Sequence, residues 1–564
     1  MLTRRDFLQL AAATAAFSAG AGAGGFSRAL AQQRLAQEDL LRFEPLGQVT
    51  LLHFADIHAQ LLPLHFREPE TNLGVGEAKG LPPHLTGADF LTRFGLEAGG
   101  AEAFALTHLD FAALAKSYGK IGGLDRMATL VKAIRAARPN RVLLLDGGDT
   151  WQGSYTANLS KGADMARAMN ALGVEAMTAH WEFTYGAERV KELVETLKFP
   201  FLAGNVRDTE WNEDVFKAAQ VFERGGLKIA VIGQAFPYTP VANPRYLIPK
   251  WSFGIQEERI AKNVEAARAG GADLVVLLSH NGFDVDRKLA ARVKGIDVIL
   301  TAHTHDALPA ATAVGATLLV ASGSHGKFLS RLDLDVKEKR VAGYRYRLIP
   351  LFADAIKPDP EMAAVIAKIR APHEGALRKV LGKTESLLYR RGNFNGTFDD
   401  LICQALMAER DAEIALSPGF RWGASVLPGA EITAEDVYTQ TAITYPNAYR
   451  TEMTGAFLKE VLEDVADNLF NPDPYYQQGG DMVRAGGLAY QIDINQAIGK
   501  RISNMTLLRT GEAIVPEKQY AVAGWASVNE GTQGPPIWDV VMHYIEKQKT
   551  VRVGPNRSIK VVGA

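Results

Sequence analysis

Arg141-Val142-Leu143-Leu144-Leu145-Asp146-Gly147-Gly148-Asp149-Thr150-Trp151-Gln152-Gly153-Ser154 is the stretch that decides how this 564-residue chain is read. Its four uninterrupted apolar residues, Val142 to Leu145, predict a strand buried on both faces, which then breaks abruptly into Asp146-Gly147-Gly148-Asp149. A strand that delivers carboxylates to a loop, with glycines that let the backbone approach a ligand, suits a hard or borderline metal ion. An isolated Asp/Gly-rich turn would look the same. Other strand ends decide between the two.

Upstream, the run Gln48 to Phe54 ends in Ala55-Asp56-Ile57-His58, and Asp and His two apart on an extended segment point to the same side. Downstream, Val174 to Thr178 leads to Ala179-His180-Trp181-Glu182. Asp273 to Leu278 runs into Ser279-His280, and Asp297 to Leu300 into Ala302-His303-Thr304-His305. Phe201 to Asn205 and Ile229 to Gly233 read as further short strands, and helical spacing over Ile121 to Ala137 and Asp164 to Leu172 separates them. Apolar strands between helices predict a layered α/β domain with functional residues at the strand ends. Gathering Asp56, His58, Asp149, His180, His280, His303 and His305 at five strand ends without an ion would be costly. Two Asp and five His with no thiolate suit Mn, Fe or Zn, and the count suits two ions with Asp149 bridging. The chemistry implied is metal-assisted hydrolysis of a phosphoryl-like or sulfuryl-like group.

The rest of the chain sets the bounds. Its length predicts two domains, and 62 Lys and Arg against 63 Asp and Glu give no global case for nucleic acid or an anionic membrane. The single Cys403 excludes an internal disulfide or a cysteine-based metal site, and in its helical context it reads as a packed residue. Residues 1–31 read as a twin-arginine export signal, with Arg4-Arg5, an Ala/Gly stretch and Ala29-Leu30-Ala31. Residues 32–355 form the expected catalytic domain. Within it, residues 61–117 lack clear periodicity and read as an insertion with little regular structure, whose His65, His84 and His108 are surface or structural. Residues 356–380 read as a linker helix and 381–564 as a second domain. No other run reaches the ~20 apolar residues that span a bilayer.

The motifs D-x-H, G-D, a lone His after a strand and a final H-x-H, in this order across residues 48–350, resemble the calcineurin-like metallophosphoesterases and specifically the 5′-nucleotidase family. The resemblance implies an N-terminal αββα domain and a C-terminal α/β substrate-binding domain. It implies one metal on Asp56, His58, Asp149 and His305 and a second on Asp149, His180, His280 and His303. One motif departs from the pattern. The family's G-N-H-E-F-D-Y-G becomes Ala179-His180-Trp181-Glu182-Phe183-Thr184-Tyr185-Gly186, so both members of a His-Asp dyad are lost together. That dyad helps stabilise an alkoxide leaving group, whereas a thiolate needs less assistance.

This substitution, together with Arg391 to Thr397, Glu463 to Asn468 and Gly479-Gly480-Asp481-Met482, resembles the SoxB family of thiosulfohydrolases of the bacterial sulfur-oxidation (Sox) system. The resemblance implies a periplasmic enzyme with two Mn(II) ions, Fe or Zn being open to the same ligands; a monomer is the expected state. Its substrate would be a cysteine S-thiosulfonate on the SoxYZ carrier protein, from which a metal-bridging hydroxide releases sulfate. Arg421, in Ser417 to Gly423, occupies the place of the nucleotidases' anion-binding Arg and suits a sulfonate. The catalytic residues expected are Asp149, Trp181 and Arg421, with Arg421, Trp181, Asn393 and Asn395 contacting substrate. A periplasmic 5′-nucleotidase or phosphodiesterase and a non-catalytic, carrier-docking metal protein are the alternatives.

Overall fold

Eleven principal strands build the N-terminal domain: β1 (Val49–Phe54), β2 (Val142–Asp146), β3 (Ala176–Met177), β4 (Ala219–Arg224), β5 (Leu227–Gln234), β6 (Leu274–Ser279), β7 (Val298–Thr301), β8 (Thr312–Val314), β9 (Thr317–Ala321), β10 (Phe328–Lys337) and β11 (Arg340–Pro350). The computed structural model describes residues 35–563, so the expected export signal lies outside the described residues. One sheet runs β11-β10-β1-β2-β3 and the other β8-β9-β7-β6-β5-β4. They face each other across a core that includes Leu51, Leu143, Leu145, Val276, Leu278, Leu300 and Leu332. β1, β2 and β6 are buried along their whole length, and β2 and β6 accordingly read as continuous apolar runs rather than alternating ones.

Helices cover the outer faces. Leu124–Ala137 buries Leu124, Met127, Leu130, Val131 and Ile134 at helical spacing, and Phe283–Arg292 buries Phe283, Leu289 and Ala290. The result is an αββα sandwich. Parallel register aligns the strand ends: Phe54 pairs with Asp146 across β1 and β2, and Ser279 pairs with Thr301 across β6 and β7. Each pair is followed by loops carrying the Asp and His residues, so the topology itself gathers them at one edge.

Two expectations need correction. The insertion 61–117 holds three short helices, Gly87–Phe94, Ala101–Leu106 and Phe111–Tyr118. At six to eight residues they are too short to display a helical period, and Phe90, Phe104 and Phe111 anchor them in the main core. Phe201 to Asn205 is not a strand, making only isolated bridges to Met177 and Lys217.

The helix Pro360–Arg370 leads to the C-terminal domain, where a sheet of Tyr449–Thr454, Gln519–Gly524, Ile414–Ser417 and Arg484–Gly486 packs under the helix Thr397–Arg410. Cys403 is buried in that helix and burial raises its thiol well above the usual range, as a packed residue requires. Among the described residues no helix is long and apolar enough to cross a membrane.

Candidate metal centre

All seven predicted ligands converge. Asp149, His180, His280 and His303 form one buried group and Asp56, His58, Asp149 and His305 another, each with one candidate ligand atom per residue within 4.8 Å of the rest. Asp149 belongs to both. Its Oδ1 accepts from the Trp181 N–H at 2.7 Å, while its Oδ2 lies 3.1 Å from His280, 3.3 Å from His180 and 3.8 Å from His58. Asp56, His58, Asp149, His303 and His305 all adopt positive φ, between 48° and 77°. Such strain is concentrated where surrounding structure fixes the side chains for function.

The loop geometry explains the glycines. A Cβ at Gly147 would lie 2.7 Å from Ala55 Cβ and 3.0 Å from Ala302 Cβ, because the loops of both sheets meet there. Asp146 does not face the cluster; it accepts from Gly148 N–H at 2.9 Å and Thr150 Oγ1 at 2.8 Å, fixing the turn. Glu182 clamps the two loops that present Asp149 and His180. Its fully buried carboxylate accepts from the N–H groups of Asp149 (3.3 Å), Thr150 (2.7 Å), Trp151 (3.1 Å) and His180 (2.8 Å).

The donor set fits a pair of divalent ions. Four of the five histidines present one ring nitrogen to the cluster and pair the other with a fixed acceptor: His180 with Asn243 Oδ1 (3.1 Å), His280 with Gly147 O (2.6 Å), His303 with Gln478 O (2.8 Å) and His305 with Arg421 O (3.3 Å). Donation to such an acceptor fixes the tautomer and leaves a lone pair facing inward, as metal-bound imidazoles require. The inward His303 Nδ1 is buried without a hydrogen-bond partner, His280 Nε2 faces the carboxylates of Asp149 and Asp56 at 3.1 and 3.7 Å, and His58 Nε2 and His305 Nε2 stand only 3.0 Å apart.

Electrostatics agree. Burial would lower the His280 imidazole, but Asp149 and Asp56 outweigh it and raise it to about 9. Burial would raise Asp149, but His180 and His280 hold it well below the carboxylate range. The metal-free protein is therefore expected to hold a proton on His280. Because this folded-state pKa lies above the ordinary 6.5, its stabilisation is complete below pH 6.5 and lost as pH rises through about 9. The metal-free protein is expected to melt at progressively lower temperature over that window, and Mn(II) affinity to rise there by up to about tenfold per pH unit as the proton is displaced. A pH-independent affinity between 7 and 9 would contradict this.

The expected substrate contacts are placed less uniformly. Trp181, 6% exposed, packs edge-on to Phe420 and Trp422, with ring centroids 5.1 and 4.8 Å away, and stacks on Tyr445 at 6.0 Å. Thr184 donates to Trp181 O at 2.7 Å. Arg421 lines a small cleft of about 50 Å³ with His303, Thr304 and Asn393, but its guanidinium already donates to Thr304 O (2.9 Å), Asp481 (3.3 Å) and Gly480 O. Asn393 is held by Leu73 N–H and Asp481, and Asn395 is turned to Asp400 and Ala485, away from that cleft. Sequence reasoning missed Arg391. It is buried beside His305 and Asp306 around a cavity of about 30 Å³, with its Nε and one Nη unpartnered. The motif Arg391 to Thr397 pointed to the loop but not to the arginine.

Comparison with known proteins places this geometry. The family model for the 5′-nucleotidase C-terminal domain matches residues 380–540. The 5′-nucleotidase of Bos taurus is 26% identical over 438 residues, covering 69% of this chain and 73% of its own. Among solved structures, the sulfate thiohydrolase SoxB of Thermus thermophilus is 37% identical with a TM-score of 0.90, covering 93% of this chain and 98% of its own. A 5′-nucleotidase precursor from Thermus thermophilus shares the fold at 22% identity and a TM-score of 0.72, over 92% of this chain and 100% of its own.

Proposed function

Because the chain belongs to the family of the sulfate thiohydrolase SoxB, within the 5′-nucleotidase superfamily, we propose that this metal-dependent hydrolase releases sulfate from a cysteine S-thiosulfonate carried by a SoxYZ protein. The observation that carries this reading is the replaced dyad. On the loop where the nucleotidase pattern has a His-Asp pair, Trp181 packs among aromatic rings and Thr184 hydrogen-bonds within its own turn, so neither can protonate an alkoxide. A persulfide needs no such acid, since a thiol's pKa is near 8.5 or below.

Asp56, His58, Asp149 and His305 would hold one ion and Asp149, His180, His280 and His303 the other. When bound, the ions would supply Lewis acidity and a water that ionises near neutral pH. Mn(II) suits this nitrogen and oxygen set, as do Fe and Zn. In the reaction the water oxygen would bond to the sulfonate sulfur and the sulfur–sulfur bond would break with its electron pair on the departing persulfide, the two protons of the water passing to solvent as it ionises and as sulfate leaves. Arg391, whose Nε and one Nη make no hydrogen bond, would bind the sulfonate oxygens, with Asp481 lying 3.9 Å from it and 3.3 Å from Arg421. The twin-arginine pattern at Arg4-Arg5 supports a periplasmic site of action.

The test is to offer the metal-loaded protein AMP, a generic phosphodiester and a carrier cysteine bearing a thiosulfonate, measuring phosphate and sulfate. Sulfate from the carrier, with free nucleotides as poor substrates, is the expected result. Efficient phosphate release from AMP and none of sulfate would replace this reading with a nucleotidase.

A further inference from the structure

Each metal position takes one outer acceptor from the C-terminal domain, Arg421 O for His305 and Gln478 O for His303. His180 and His280 find the acceptors for their second nitrogens inside the N-terminal domain, whereas His303 finds its acceptor in Gln478 O, on a strap of the C-terminal domain. The strap is tied across the domain boundary. Lys288 Nζ lies 2.5 Å from Asp473 and 4.2 Å from the Tyr475 ring centroid, the Tyr475 hydroxyl donates to Glu257 at 2.7 Å, and the Tyr238 hydroxyl donates to Tyr475 O. Lys288 sits on the helix Phe283–Arg292, which begins three residues beyond His280, so one scaffold carries both a ligand and the anchor.

We infer that the strap 471–480 is part of the metal centre: the Gln478 carbonyl sets the tautomer of His303, and Lys288, Tyr475 and Gly479 are the positioning residues that keep it there. This rests on the dinuclear reading proposed above. With Nε2–H donated to Gln478 O, His303 must offer Nδ1 to the cluster, and that atom is buried with no other partner. Phe236 stacks on the ring at 4.1 Å and limits its other orientations. The strap can come this close only as glycine. Gly479 has φ +73, and a Cβ there would lie 2.6 Å from His303 Nε2. The motif Gly479-Gly480-Asp481 thus serves the metal centre from the other domain, and losing an outer partner of this kind typically weakens a metal site about 10–100-fold.

The test titrates Mn(II) into the metal-free full chain by calorimetry and follows the bound ions by electron paramagnetic resonance. Wild type should take two equivalents and give an exchange-coupled signal. Gly479→Ala, and independently Lys288→Met with Tyr475→Phe, should weaken one equivalent about 10–100-fold and the other, which the strap reaches only through Arg421, much less, so that an isolated Mn(II) signal appears at low metal. Lys288→Arg should restore the coupled signal. Because Gly479→Ala places strain in the backbone, the double variant, whose melting in the absence of metal should match wild type, decides if the glycine variant fails to fold. Both equivalents binding to the double variant as in wild type would overturn the inference. A wild type that binds fewer than two would instead overturn the dinuclear reading, and this inference with it.

Discussion

Asp149→Ala is expected to lose both metal ions and to lower kcat at least about 10³-fold, the upper end of what losing a single stabilising group costs, because here two centres fail together. The reason is that Asp149 is the one residue common to the two groups, with its Oδ2 facing His280, His180 and His58. Stability should follow. A ligand at 1,000 times its Kd stabilises by about 4 kcal/mol for each site, so wild type should melt at a markedly higher temperature with excess Mn(II) than after chelation, and the variant should not. Asp149→Asn separates ligation from folding, since an amide oxygen can still accept from the Trp181 N–H. If the asparagine variant keeps two equivalents and full activity, Asp149 is not the bridge.

Glu182→Ala is expected to be the most destabilising single change at the site. The carboxylate serves four main-chain N–H groups, and each buried donor left without an acceptor costs about 1–3 kcal/mol, so the loss approaches or exceeds 4 kcal/mol. Against a typical total of about 5–15 kcal/mol this is a large fraction. Denaturant unfolding should show it, and the surviving folded protein should bind metal poorly because the loops carrying Asp149 and His180 lose their common clamp. Glu182→Gln, which keeps one carbonyl oxygen, should fall between. A variant within 1 kcal/mol of wild type would show that the clamp contributes little.

What the sequence showed, and what it hid, divides along a physical line. The metal cluster was legible because strand ends announce themselves: Val142 to Leu145 buried on both faces, then a turn with Asp149, and likewise before His280 and His303. The partners that orient those ligands were not legible. Gly147 O, Gln478 O and Arg421 O are main-chain carbonyls, which any residue supplies, and Asn243 lies 63 positions from the His180 it orients. Trp181 was recognised as a departure from the family pattern, but its neighbours Phe420, Trp422 and Tyr445 come from the other domain, and no local spacing predicts that encounter. Arg421 and Asn393 drew attention by their loops. Only the fold reveals that Asp481 holds both, while Arg391 beside them keeps unpartnered donors.

The most direct test of the dinuclear centre is anomalous X-ray diffraction from crystals of the Mn(II)-loaded protein, recorded on both sides of the manganese absorption edge. The account predicts two peaks with Asp149 between them, one surrounded by Asp56, His58 and His305 and the other by His180, His280 and His303. A single peak, or two peaks with no carboxylate in common, would contradict it.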